Sequence, residues 1–173
     1  MKQINLYVYT YNVFTYICIK EIKKMRIEDE IKQTVFKNEY QKAVINILYT
    51  ASFLTLEQTQ VFKKYGITPP QYNVLRILRG QHPKPVTVNL IIERMLDKSS
   101  NASRIVEKLR IKKLLKRIIC PEDRRAVNVL ITQQGLDLLL EMDTLEKKFW
   151  VGINSLTPQE AVVLSNLLDK IRS

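Results

Sequence analysis

Asp123-Arg124-Arg125-Ala126-Val127-Asn128-Val129-Leu130-Ile131-Thr132 sets two arginines beside a short acidic turn, Pro121-Glu122-Asp123, ahead of an alternating, β-branched run. Leu114 to Ile119 is a second apolar run just upstream. The pair predicts two strands, 114–119 and 126–131, joined by residues 120–125 into a hairpin with a cationic tip. Before them, about Ser100 to Lys112, Ala102, Ile105, Val106 and Leu109 recur at i, i+3, i+4 and i+7, the apolar face of an amphipathic helix. A basic helix followed by a small cationic hairpin can address both grooves of a nucleic-acid duplex.

Working upstream, Thr87 is placed to cap a helix from Val88 to Leu96 that buries Leu90, Ile91 and Met95, and Asp97-Lys98-Ser99 is a tight turn. Gln81 to Pro85 reads as a loop. Thr68-Pro69-Pro70-Gln71 is a capping box with proline at the first helical position, opening a helix through Val74, Leu75 and Leu78 that Gly80 closes. From Ile27 to about Tyr65, apolar residues (Ile31, Val35, Tyr40, Val44, Ile47, Leu48, Ala51, Leu54, Val61, Phe62) keep helical spacing, and Gly66 ends the run as a left-handed cap. A helix of that length protrudes from a small domain unless a second subunit covers it. Downstream, Thr132 starts a helix carrying Leu136, Leu139, Leu140, Leu145 and Phe149. Thr157-Pro158-Gln159-Glu160 is a second capping box, before Val163, Leu164, Leu167, Leu168 and Ile171.

The chain has 173 residues, 46% of them apolar, with 4 Gly and 6 Pro, which excludes a disordered or fibrous protein. Its formal charge is +11, and the excess is concentrated. Between Lys98 and Arg125 stand ten Lys/Arg (98, 104, 108, 110, 112, 113, 116, 117, 124, 125) against Glu107, Glu122 and Asp123. Such clustering suggests a polyanion, because each neutralised phosphate releases condensed counterions; a solvated basic face is the plainer alternative. Cys18 and Cys120 fit no zinc or redox spacing and suit a reducing, cytoplasmic setting. His82 is the only histidine and there is no phosphate-cradling glycine loop, so no enzyme, metal or cofactor is expected.

Gln3 to Ile19 is uncharged and rich in Tyr, Val, Ile and Phe, but shorter than the roughly 20 residues of a spanning helix. No small-residue cleavage site follows it. Met25 would make a natural alternative start, and residues 1–24 are expected to be peripheral or absent from the native protein.

On these motifs the chain resembles the multiple antibiotic resistance regulator (MarR) family of winged-helix regulators. The resemblance rests on Ile105-Val106-Glu107-Lys108-Leu109, on Asp123-Arg124-Arg125 and Thr132 with Gly135 behind it, and on the flanking helices, so that it runs from Ile27 to Ile171. It implies a mainly α fold with a small β-hairpin wing: a winged helix-turn-helix (67–132) between dimerisation helices at 25–66 and 133–173. It further implies a homodimeric repressor on a pseudo-palindromic operator in double-stranded DNA, released by a small-molecule effector.

The DNA-contacting residues expected are Thr87, Lys98, Ser99, Ser100, Asn101, Ser103, Arg104, Lys108, Lys116, Arg124 and Arg125. Lys98, Lys108 and Lys116 would hold phosphates; Asn101, Ser103 and Arg104 would read base edges; Arg124 or Arg125 would enter the minor groove. Ser99 taken alone reads as a helix cap, and a salt bridge from Arg125 to Asp123 is left open. One position departs from the family pattern: Lys113 stands where a glycine usually follows the recognition helix, which puts about 1 kcal/mol of left-handed strain on the lysine and leaves the wing angle open. Two other readings are a basic module at a membrane surface and a redox sensor using Cys120.

Overall fold

The computed structural model describes residues 26–119, 127–144 and 153–173. Two compact units divide between Ala51 and Ser52.

In the first unit the long helix expected over Ile27 to Tyr65 is not one element. A single turn, α1 (Ile27–Glu30), is followed by a non-helical segment of eight residues, 31–38, before α2 (Glu39–Lys63) begins. The interruption has a local cause. Lys32 lies at φ 53°, and the amide of Gln33 donates to the carbonyl of Glu28, the six-residue closure of a Schellman motif. Asn38 then restarts the helix, its side-chain oxygen accepting from the amide of Gln41 at 2.9 Å. Helical spacing of the apolar residues carried across the gap, but the backbone did not. Nor does that spacing mark a covered face: Tyr40, Val44 and Leu48 are exposed.

The second unit holds the core. α2 ends here as expected, with Gly66 at φ 65° and the amide of Ile67 donating to Phe62 O. α3 (Pro69–Arg79) opens on the Thr68 box, both reciprocal bonds present. Next come β1 (Val86–Thr87), α4 (Val88–Arg94), α5 (Ala102–Ile111), β2 (Leu115–Ile119), β3 (Val127–Ile131), α6 (Gln133–Asp143), a 3-10 turn (Ile153–Ser155) and α7 (Pro158–Arg172). α4 stops two residues short of the expected Leu96, because Met95 turns to an extended conformation and caps it.

The strands make a three-stranded antiparallel sheet in the order β1-β3-β2, rather than a hairpin alone. Val86 pairs with Val129 and Leu115 with Ile131, so all four apolar side chains point into the core. A two-residue strand is too short to show an alternating pattern, so β1 is not among the strands the sequence predicts. The core gathers Phe62, Ile67, Val74, Leu75, Leu78, Ile91, Val106, Leu109, Leu139 and Met142 around the sheet. Phe62 stacks on Tyr72 at 4.6 Å. A bidentate pair from Arg79 to Asp143 (2.5 and 3.3 Å) ties the end of α3 to the end of α6.

Residues 1–24, the hairpin tip with Cys120, Asp123, Arg124 and Arg125, and Leu145 and Phe149 lie outside the described residues. Among those described, no helix is long and apolar enough to cross a membrane.

Candidate nucleic-acid interface

The candidate interface is organised by α5. Ala102, Val106 and Leu109 are buried, with Ile105 packed against the same core. At 100° per residue this leaves Arg104 and Ile111 on the opposite side, flanked by Ser103, Glu107 and Lys108. Ser103, Arg104 and Lys108 are all exposed.

The turn before α5 is closed by one carboxylate. Asp97 accepts from the Ser99 amide (2.9 Å), the Ser99 hydroxyl (2.6 Å) and the Ser100 hydroxyl (2.6 Å). These donors favour its charged form and hold its carboxyl below the usual range, the Ser100 hydroxyl contributing most. Asn101 is the N-cap, its side-chain oxygen accepting from the Arg104 amide at 2.9 Å. Thr87 likewise caps α4 through Leu90 N at 3.1 Å.

Lys98 lies back across the C-terminus of α4, its ammonium donating to the carbonyls of Ile92 (3.0 Å) and Glu93. It satisfies carbonyls that the helix leaves open, and its charge complements the helix dipole. Sequence placed Lys98 on a phosphate; nothing in its surroundings at residue spacing announced this carbonyl partner.

Between α5 and the sheet, Glu107 accepts from Arg110 (2.8 Å) and Arg117 (2.9 Å). The Arg110 guanidinium, chiefly by hydrogen bonding, draws the Glu107 carboxyl below the usual range, and Arg117 adds to it through charge. Arg117 shares the sheet face of Leu115, whereas Lys116 points to the other side. Neither arginine stood among the expected contacts, because the cross-link depends on how the strand returns past the helix.

The helix-to-strand junction carries the unusual residue. Lys113 lies at φ 60°, its amide donating to Arg110 O (2.9 Å), while the Leu114 amide donates to Leu109 O (3.0 Å). This is a complete Schellman motif, with the buried Leu109 and Leu114 as its apolar pair. The lysine adopts the backbone that glycine would, and the helix ends where a glycine would end it. Thr132 locks the turn from the far side: its hydroxyl donates to Lys113 O (2.7 Å), its amide to Leu114 O (3.1 Å), and its oxygen caps α6 by accepting from Gly135 N (3.2 Å). Gly135 packs so closely on this turn that a Cβ there would lie 2.3 Å from Leu114 O.

A cavity of about 560 Å³ opens on the flank of α5 away from Glu107. Thr59, Lys63, Ile67, Gln71, Lys108, Ile111 and Lys112 line it. Lys112 also donates to Gly66 O, bridging the ends of α5 and α2.

Comparison with known proteins places this geometry. Residues 65–126 match the model of the MarR family. The HTH-type transcriptional regulator MgrA of Staphylococcus aureus is 29% identical over 112 residues, which cover 65% of this chain and 74% of MgrA. Among solved structures, a MarR transcription factor from Planctomyces limnophilus is 26% identical, covering 78% of this chain and 98% of its own, with a TM-score of 0.61. MepR of S. aureus, solved in complex with DNA, shares the fold at 20% identity and a TM-score of 0.66, covering 79% of this chain and 97% of MepR.

Proposed function

We propose that the chain, whose residues 65–126 match the MarR family, is a transcriptional regulator of that family that binds a pseudo-palindromic DNA operator as a homodimer and represses transcription. The observation that carries the reading is the outer face of α5. Ser103 and Arg104 stand exposed on a helix whose other face is fixed in the core, and it is preceded by a rigid turn that sets its N-terminus. In this reading Arg104 and Ser103 reach base edges in the major groove. Asn101, with its oxygen held by the cap, reaches a base only through its NH2 group. Lys108 and Lys116 supply phosphate contacts, while Lys98 holds the end of α4; Thr87, Ser99 and Ser100 lie close to the phosphate backbone; Arg124 or Arg125 enters the minor groove.

The dimer is argued from apolar surface. Tyr40, Val44 and Leu48 on α2, and Val163, Leu164, Leu167 and Ile171 on α7, are exposed. Each set lies at helical spacing, and contiguous apolar faces of this kind mark interaction sites. Two-fold symmetry sets half-sites about 34–36 Å apart.

A ligand that relieves binding is favoured by the 560 Å³ cavity, where Lys63, Lys108 and Lys112 surround Ile67 and Ile111. An apolar body carrying a carboxylate, such as a small phenolic acid, fits that lining. Because Lys108 and Ile111 belong to α5, an occupant would bear on the helix that meets DNA.

The test is selection of bound fragments from genomic DNA, then gel shifts with the recovered sequence. Arg104→Ala is expected to weaken binding to the selected sequence by about 1–3 kcal/mol and to reduce discrimination at one position per half-site. A chain that sediments as a monomer at micromolar concentration, or an Arg104→Ala protein of undiminished specificity, overturns it.

A further inference from the structure

Lys113 occupies a left-handed position, φ 60°, that a lysine adopts at a cost and a glycine does not. Backbone strain retained in a packed fold points to use of the side chain that causes it. The Lys113 side chain is exposed and lines a depression of about 460 Å³ together with Arg110, Lys116, Arg117, Leu115 and Thr132. Four basic residues thus line it, and because β2 is an edge strand, Lys116 and Arg117 reach it from opposite faces of that strand. Glu107 engages two of them, Arg110 and Arg117. Among the described residues, the side-chain ammonium groups of Lys113 and Lys116 have no hydrogen-bond or ion-pair partner. The floor is rigid, because Thr132 holds the turn by two bonds and the Schellman closure by two more.

The depression lies between the end of α5 and the first strand of the wing, and it shares no lining residue with the lysine-lined cavity. We infer that Arg110, Lys113, Lys116 and Arg117 form a phosphate-binding shelf, and that its ligand is the sugar-phosphate backbone of the bound duplex. This rests on the DNA-binding reading and deepens it. The shelf extends the contact from helix to wing strand, so affinity is gained without reading sequence. The concentration of charge on both sides of the junction favours a linear polyanion over a single small anion.

The experiment measures binding of the full chain to the selected duplex and to a scrambled duplex between 50 and 300 mM salt, alongside urea unfolding. Lys113→Gly relieves the strained turn and removes the charge; Lys113→Ala removes the charge alone. Both are expected to bind both duplexes about fivefold more weakly at 0.15 M salt, with the slope of log K against log salt reduced by about 0.9, the value of one lost phosphate contact. Lys113→Gly is expected to unfold at higher urea than the parent, so its weaker binding cannot come from unfolding. Unchanged slopes in both variants overturn the shelf, and so does weakening by the glycine variant only, which would assign the effect to backbone geometry. Calorimetric titration with inorganic phosphate separates the sources: saturable binding lost in Lys113→Ala, with an unaltered duplex slope, makes the ligand a free anion and refutes the duplex contact. Failure of the unsubstituted chain to bind any duplex would instead overturn the reading beneath.

Discussion

Replacing Gly135 by alanine sets two physical terms against each other with opposite signs. Gly135 lies in the first turn of α6, where helix propensity alone favours alanine by about 1 kcal/mol. The surroundings oppose it. A Cβ at this position would lie 2.3 Å from the Leu114 carbonyl oxygen and 2.7 Å from Ile131 Cγ1, whereas a C···O contact relaxes at about 3.3–3.6 Å. Roughly 1 Å of displacement is therefore needed, and the nearest atom is backbone, which cannot rotate away. That carbonyl also accepts from the Thr132 amide, and both Leu114 and Ile131 are buried.

Overpacking of this kind costs about 1–3 kcal/mol, and a weakened hydrogen bond adds about 1. After the gain in propensity, Gly135→Ala is expected to lose about 1–3 kcal/mol, a fall in melting temperature on the order of 3–10 °C. Urea unfolding followed by circular dichroism measures it, with Gly80→Ala as the control. At Gly80 the backbone is right-handed helical and the nearest atoms to an added Cβ lie at 3.6 Å, so that variant is expected to be neutral or slightly stabilising. A Gly135→Ala protein as stable as the parent would refute the close approach of α6 to the Lys113–Leu114 turn.

Two further outcomes follow from the same bonds. Thr132→Ala removes the α6 cap and the donor to Lys113 O together, and is expected to lose about 1–2 kcal/mol in urea unfolding, with Thr132→Ser recovering most of it. In the first unit, the Lys42 ammonium (2.6 Å), a backbone amide and Arg26 lower the Glu28 carboxyl from 4.5 to about 2. Because the folded value is the depressed one, the stability it contributes is present above about pH 4.5 and is lost as pH falls toward 2. The parent's urea midpoint is therefore expected to drop between pH 5 and 3 by more than that of Glu28→Gln; equal drops would remove Glu28 from the acid response.

What was legible in the sequence has a common character. The capping boxes at Thr68 and Thr157, the caps at Thr87 and Thr132, the left-handed stop at Gly66 and the buried stripe of Ala102, Ile105, Val106 and Leu109 all involve residues within a few positions of each other. Their hydrogen bonds and faces follow from helical geometry, whatever the rest of the chain does. Lys113 belongs with them: its departure from glycine was visible, and so was the cost.

Other features became definite only with the tertiary structure. Periodicity ran unbroken from Ile27 to Tyr65, yet Lys32 and Asn38 break the helix, since apolar spacing reports a face and not the continuity of the backbone. Val86 and Thr87 became a strand only because Val129 and Asn128 came alongside. Glu107 met Arg117 across the helix-to-wing turn, and Lys98 turned back onto carbonyls five and six residues behind it. A charge in a sequence has a sign but no direction. Which lysines stay exposed, and which secure the fold, was decided by the packing that turned each side chain toward one partner and away from the rest.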